Sequence, residues 1–322
     1  MTRERVISVD TDDWRTVAVV AVEYCADDVV AVTLRDRDGA DLPAWSPGAH
    51  IDVDLGSGLV RQYSLCGSPR SADRWRIAVL REPNGRGGSK RMHDEVRPGD
   101  TLYIRGPRNR FPLVEAARYL FVAGGIGVTP ILPMVRRVAE LGRPWLLVYG
   151  GRTRTSMAFL DELSTIPGGE LTVVPQDEAG LPDLTGLLAV PEDGTAVFCC
   201  GPPSMLSAVE EACSAWPADA VHRERFAAET PVAEGSFEVL LQRSDIRLTV
   251  GEHEPLLDAV EAAGVALDNS CRAGICGTCE VGVLAGEPDH QDDVLTDEER
   301  ERGDIMLPCV SRAKGRLLVL DL

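Results

Sequence analysis

The sequence predicts a multidomain chain: a six-stranded antiparallel β-barrel, then an α/β domain on a parallel sheet, then a small C-terminal domain built round cysteines. Three observations carry this. Short strand-like runs separated by turn residues fill residues 14–106, strands alternate with helices from Ala117, and beyond a Pro-containing linker four cysteines follow the spacing C-x4-C-x2-C…C. Many short strands without a long helix indicate a closed barrel. Strand alternating with helix indicates an open parallel sheet. At 322 residues the chain is long enough for several cores, and the boundaries are read at 1–112, 113–228 and 229–322.

Barrel strands are expected over residues 17–24, 29–34, 51–55, 62–66, 75–80 and 101–104. They are parted by Pro47-Gly48, Gly56-Ser57-Gly58, Asn84-Gly85 and Pro98-Gly99-Asp100, residue types that suit tight turns. In the second domain a continuous apolar run over 119–123 leads through glycines into a helix over 131–141. A strand at 145–149, a helix at 156–163, strands at 171–174 and 196–200 and a helix at 204–215 follow. Residues 227–235, with Pro231, read as the linker. Beyond it, 237–241 and 246–250 read as a hairpin and 255–263 as a helix.

Composition excludes some partners. With 51 acidic against 33 basic residues the formal charge is −18, so a nucleic-acid backbone or an anionic membrane is repelled. Residues 232–322 alone hold 19 Asp or Glu against 8 Lys or Arg. A macromolecule docking there is expected to bring a basic patch. No apolar run reaches membrane-spanning length, and the first ten residues, MTRERVISVD, lack the apolar core of a signal peptide. A cytoplasmic protein is therefore expected. Nine cysteines, an odd number crowded toward the C-terminal half, then suggest metal or cofactor duty rather than a disulfide frame.

Cys271, Cys276 and Cys279 stand close together and Cys309 follows after 29 residues. This is the plant-type spacing for a [2Fe-2S] cluster, whereas structural zinc favours two close pairs. Glycines crowd the loop, which must turn backbone N–H groups toward sulfur. Side chains at Gly274 or Gly277 would obstruct that approach. The N–H groups of residues 273–278 are candidates for tuning the cluster, as is Arg272, which would serve equally well as a solvated cation. The other five cysteines read as small buried apolar residues, with Cys200 the exception to watch.

Two glycine turns mark the second domain. Gly124, Gly125 and Gly127, followed by Thr129 and Pro130, connect a buried strand to a helix. Such a turn is either a pyrophosphate pocket or only a tight connection. Cys200-Gly201-Pro202 is again a strand end before a helix, and two such turns at the carboxyl edge of one sheet bracket the crevice where dinucleotides bind. In the barrel, Arg61, Tyr63 and Ser64 share one strand, with Arg61, Tyr63 and Leu65 on one face and Gln62 and Ser64 on the other; a mixed edge strand gives the same pattern. The turn Gly85-Arg86-Gly87-Gly88-Ser89 offers flexible backbone, a guanidinium and a hydroxyl to a phosphate.

Taken in order, R-x-Y-S-L, G-R-G-G-S, G-G-I-G-x-T-P, C-G-P and the C-terminal cysteine pattern resemble the phthalate dioxygenase reductase family, which includes vanillate O-demethylase reductases. The resemblance spans nearly the whole chain. It implies that the six-stranded barrel is flavin-binding and holds FMN, that the middle domain binds NADH, and that a C-terminal β-grasp plant-type ferredoxin domain passes electrons to a separate terminal oxygenase component. By match, Arg61, Tyr63 and Ser64 would hold the ring and phosphate region and residues 86–89 the phosphate turn. Gly124, Gly125, Gly127 and Thr129 would line the nucleotide path, and Cys200 with Gly201 and Pro202 would flank the nicotinamide. Phe226 resembles the aromatic residue that covers the flavin; a core anchor before the linker is the other reading.

A nicotinamide gives up two electrons as one hydride and an iron–sulfur cluster takes one at a time, so some group must accept the pair and release it singly, which a flavin can do. No side-chain acid or base is required. Arg152 and Arg154, just past a strand, are placed either to meet a 2′-phosphate or to stay in solvent. A cytochrome P450 or another terminal acceptor in place of a Rieske-type oxygenase stays open, as does a scaffolding protein with a structural metal. The five histidines, spread without ligand spacing, read as surface or cap residues, and nothing demands more than a monomer.

Overall fold

A computed structural model describes residues 13–56, 59–83, 85, 87–226, 235–292 and 294–322. Arg86 of the expected phosphate turn and residues 227–234 of the expected linker lie outside these. One compact unit ends at Glu224 and the other runs from Arg225.

The first unit begins with a curled antiparallel sheet. Its strands are β1 (Arg15–Ala26), β2 (Val29–Asp36), β3 (Ala49–Asp54), β4 (Val60–Ser64), β5 (Trp75–Leu80) and β6 (Thr101–Asn109), ordered β4-β3-β6-β1-β2-β5. The six expected strands are all there. One isolated bridge, Leu65 to Ile77, joins the strands at the two edges, so the sheet closes on itself at one end. Alternation sends Val17, Val19, Val32, Leu34, Ile51, Val53, Ile77 and Ile104 into its interior. A short helix α1 (Gly88–Asp94), absent from the sequence reading, follows β5.

The parallel sheet comprises β7 (Arg118–Gly124), β8 (Trp145–Gly151), β9 (Gly169–Pro175), β10 (Thr195–Cys200) and β11 (Val221–Glu224), in the order β11-β10-β7-β8-β9. Helix α2 (Val128–Glu140) covers one face. The other carries α5 (Leu184–Leu188) and α6 (Pro203–Ala212), with α3 (Leu160–Ser164) and the single turn α4 (Gln176–Ala179) at connections. Because both faces are covered, β7 is apolar throughout: Tyr119, Phe121 and Ala123 enter one core and Leu120 and Val122 the other. The first of these cores also takes Val29 and Ala78 from the antiparallel sheet, and Cys66 and Phe111 from the segments just past β4 and β6, so the two sheets are packed together. Phe111 meets Phe198 edge to face, centroids 5.5 Å apart.

The helix expected over 156–163 is corrected. It divides into a 3-10 turn at Arg154–Ser156 and α3, because Phe159 takes a left-handed backbone (φ 64°). The break turns Met157, Ala158 and Phe159 into the core. Packing outweighs local helix preference there.

The second unit is a mixed sheet ordered β13-β12-β18-β14-β16, from β12 (Phe237–Leu241), β13 (Ile246–Val250), β14 (Val281–Ala285), β16 (Ile305–Met306) and β18 (Leu317–Leu320). The expected hairpin β12–β13 forms, with Phe237 opposite Val250 and Leu241 opposite Ile246. Helix α7 (Leu256–Ala262) lays Leu256, Ala259 and Val260 on this sheet in the β-grasp manner. A small pair, β15 (Pro288–Asp289) with β17 (Arg312–Ala313), and α8 (Asp297–Arg302) complete it. Arg312 is buried, but its charge is satisfied by the carbonyls of Gly235, Gly251 and Glu254 and by the ring of Phe237.

Candidate redox sites

The four cysteines come together. Cys271, Cys276, Cys279 and Cys309 are each no more than 6% exposed, the last two in a small core with Leu257, Leu295, Leu307 and Val310. Their thiols meet two by two, Cys271 with Cys276 and Cys309 with Cys279. Thiols meeting in two pairs suit a binuclear cluster, with two sulfurs to each iron.

Backbone N–H groups of the loop turn to the sulfurs as expected. Ala273 donates to Cys271 Sγ (3.3 Å) and Thr278 to Cys276 Sγ (3.4 Å), and Gly274 and Ile275 aim at Cys309 and Cys271. Cys276 lies well below the ordinary thiol range because Cys271 donates to it and Thr278 adds to this, while its partner Cys271 is pushed up. Gly274 has φ 65° and Gly277 φ 74°, and a Cβ at Gly274 would lie 2.6 Å from Val310 Cγ2. The Arg272 side chain turns away to Asp258, Glu261 and Asn269, so the ion pairs to α7 claim the cation.

The two glycine turns face each other where the sheet order reverses, between β7 and β10. Gly125–Gly127 forms one 3-10 turn before α2. A Cβ at Gly127 would stand 2.2 Å from the Cys200 carbonyl oxygen, and one at Gly124 2.6 Å from Pro202 Cδ. Gly201 lies against Gly124, while the space round Gly125 is open. Thr129 is buried, its hydroxyl donating to the Ile126 carbonyl (2.9 Å). A crevice bounded by backbone at a topological switch point suits a pyrophosphate.

Cys200 ends β10 and is wholly buried, and its thiol points to Glu224 Oε2 (3.9 Å). Burial pushes Glu224 up to about 8, and burial with that carboxyl keeps Cys200 a thiol. Glu224 escaped the sequence reading because nothing short of the register Cys200–Glu224 ties 200 to 224. Phe226, two residues on, is 39% exposed.

On the antiparallel sheet the two motifs expected to bind flavin meet. A Cβ at Gly88, the first residue of α1, would lie 2.6 Å from Arg61 Cγ: the Arg61 side chain crosses the glycine turn. Gly87 has φ 88°; Gly85 is exposed; Ser89 Oγ accepts the Glu82 N–H (2.9 Å) and ties the turn to the end of β5. Tyr63 packs on the interior core, and burial raises its phenol. Ser64 is buried on the opposite face, paired in register with His50.

That face carries a polar cluster the sequence did not disclose. Asp52, fully buried, accepts from Gln62, Arg105 and Arg108; burial would raise its pKa, but Arg108 and the other donors hold it low. His50 is buried, pushed down to about 4 by burial and by Arg108, and its Nε2 has no hydrogen-bond partner among the described residues. His93 is buried too, hydrogen-bonded to the Val79 carbonyl (2.9 Å). The reading of all five histidines as surface or cap residues is corrected for two of them: His50 is buried beside Arg108 and Asp52 in the polar cluster on the face away from the interior core, and α1 buries His93.

Such a molecule accepts electrons at a dinucleotide crevice and delivers them from a cluster: by fold and site it is a reductase bearing its own ferredoxin domain. Residues 121–211 match the oxidoreductase NAD-binding domain and residues 239–314 the 2Fe-2S iron-sulfur cluster binding domain. The chain is 44% identical over 308 residues, 94% of its length and 95% of the relative's, to the phenoxybenzoate dioxygenase subunit beta of Ectopseudomonas oleovorans. It superposes on the structure of phthalate dioxygenase reductase at 34% identity and TM-score 0.74, covering 96% of this chain and 98% of that one. An intact type IV self-sufficient cytochrome P450 monooxygenase is 45% identical with TM-score 0.83 over 99% of this chain, which spans only 43% of that protein. The chain belongs to the phthalate dioxygenase reductase family, the flavin and [2Fe-2S] reductase components of Rieske-type oxygenase systems. It is an NADH-dependent flavin and iron–sulfur oxidoreductase.

Proposed function

We propose that this reductase carries FMN on its antiparallel sheet and serves a separate Rieske-type aromatic oxygenase or O-demethylase. The observation that supports it most is the meeting of Arg61 with the Gly87–Gly88 turn, in the same unit as a crevice lined by the two glycine turns. Residues 1–112, 113–228 and 229–322 act as flavin, nucleotide and cluster modules. Bound flavin supplies the conversion of one hydride into single electrons. Arg61, with the turn at 85–89 and Arg86 in it, holds the flavin phosphate, and Tyr63 and Ser64 hold the ring. Gly124, Gly125, Gly127 and Thr129 shape the nucleotide path; Cys200, Gly201 and Pro202 flank the nicotinamide and Phe226 covers the flavin. Cys271, Cys276, Cys279 and Cys309 hold the cluster. The polar Nε2 of His50, buried near Ser64 without a partner among the described residues, favours a bound group with a polar edge. The acidic ferredoxin domain docks on the oxygenase, and the protein works as a cytoplasmic monomer. Among the described residues no helix is long and apolar enough to cross a membrane.

The likeness to a self-sufficient cytochrome P450 favours a second reading, the same electron path serving a haem monooxygenase. Anaerobic absorption spectra before and after one equivalent of NADH, with the released flavin identified, test the first part. Bleaching of flavin and iron–sulfur bands with FMN released is expected, and a preparation with no flavin band rejects it. Reduction rates of a purified Rieske oxygenase and a purified P450 then separate the two acceptors.

A further inference from the structure

Beyond the nucleotide turns, the rim of the parallel sheet carries an ion pair with a distinct geometry. Arg154 donates from Nε to Glu178 Oε1 (3.2 Å) and from its terminal nitrogen to Oε2 (2.8 Å), so both carboxylate oxygens grip one edge of the guanidinium. Each partner is about half exposed, yet each is fixed in place. Thr153 and Ser156 cap the turn that bears Arg154. The Asp177 N–H donates to the Arg152 carbonyl (3.2 Å), continuing the β8–β9 pairing past Gly151 and Pro175. Two cations, Arg152 and Arg154, therefore share this rim with two acids, Asp177 and Glu178.

Its place is informative. β8 adjoins β7, with Gly150 opposite Gly124 of the glycine turn, and β9 lies beyond β8. The pair thus stands past the carboxyl ends of β8 and β9, which lie one and two strands along the sheet from the strand that ends in the glycine turn. A dinucleotide whose pyrophosphate rests at that turn and whose nicotinamide lies by Cys200 on β10 extends its adenosine toward this rim. An acid there suits a ribose 2′-hydroxyl, whereas an available arginine suits a 2′-phosphate.

We propose that the Arg154–Glu178 pair sets the choice of dinucleotide: Glu178 occupies the guanidinium that a 2′-phosphate would need and adds a like charge against it, so the site takes the dinucleotide lacking that phosphate. The inference rests on the nucleotide-binding reading of the crevice and goes further by naming its specificity determinant. No proton or electron moves in this step; the selection is electrostatic.

The test uses the purified holoenzyme with an artificial electron acceptor. It compares kcat/KM for NADPH and NADH in wild type, Glu178→Ala, Glu178→Gln and the double variant Arg154→Ala/Glu178→Ala, and it also measures binding of 2′,5′-ADP and 5′-AMP. Either Glu178 variant is expected to raise the NADPH-to-NADH ratio roughly tenfold, the size of one charge-assisted hydrogen bond to the 2′-phosphate. The same variants are expected to tighten 2′,5′-ADP relative to 5′-AMP, and loss of Arg154 in the double variant is expected to abolish both effects. Unchanged ratios and unchanged 2′,5′-ADP binding in both Glu178 variants, or a wild type that prefers NADPH, overturns the proposal while leaving the reductase reading intact. A wild type that oxidises neither dinucleotide overturns both.

Discussion

Single residues carry sharp constraints. At Gly127 even a methyl group has no room, since its Cβ would stand 2.2 Å from the Cys200 carbonyl oxygen. Gly127→Ala is expected to cost about 1–3 kcal/mol through overpacking and to weaken dinucleotide binding, as read by denaturant unfolding and by fluorescence titration with NADH. At Cys309 the substitution Cys309→Ser removes one of four sulfurs. Iron–sulfur absorption in the visible is expected to vanish while far-ultraviolet circular dichroism of the first unit persists; an intact cluster spectrum would contradict the ligand assignment. Glu224, held protonated by burial to about pH 8, gives a signed pH effect. Between the ordinary carboxyl value near 4.5 and about 8 the folded chain binds more protons than the unfolded one, so this group's contribution to stability falls as pH rises through that window. Thermal unfolding of Glu224→Gln compared with wild type at pH 5 and pH 8 is expected to lack that part of the decline.

Among elements, the join between the antiparallel and parallel sheets rests on more than apolar packing. Arg76 from β5 forks onto Glu162 of α3 (2.8 and 2.9 Å), Arg136 of α2 reaches the same carboxylate, and the Arg76 guanidinium lies 4.7 Å over the ring of Phe159. Burial would raise the Glu162 pKa, but Arg76 and then Arg136 lower it. Because Glu162 is about one-third exposed, screening reduces the worth of each bond. A double-mutant cycle of Arg76→Ala and Glu162→Ala is expected to give a coupling of about 1 kcal/mol. Zero coupling would mean that these charges only decorate the join. The same region shows where sequence reasoning stopped: a helix over 156–163 satisfied local preference, but only the assembled core says that Met157, Ala158 and Phe159 must turn inward.

For the whole molecule, a formal charge of −18 with an acid-rich ferredoxin domain makes long-range attraction the expected feature of the encounter with a protein partner. The bimolecular rate of reducing a terminal oxygenase is expected to fall as ionic strength rises, with little change in NADH oxidation measured with a small uncharged acceptor. A rate that rises with salt would place the docking surface elsewhere.

Much of this molecule is legible in its linear sequence. Strand runs, glycine turns and the spacing of Cys271, Cys276, Cys279 and Cys309 are local patterns, set by backbone sterics, side-chain alternation and metal chemistry, and these alone determined the three architectures and pointed to the proposed cluster ligands. The tertiary structure decided who meets whom. Arg61 lies over Gly88, Glu224 faces Cys200, His50 is buried near Ser64, and Glu178 grips Arg154. Each of those pairs joins residues 14 to 27 positions apart in the sequence through strand order and register, which no local pattern encodes, so the neighbours that set charge, protonation and specificity appear only once the sheets are assembled.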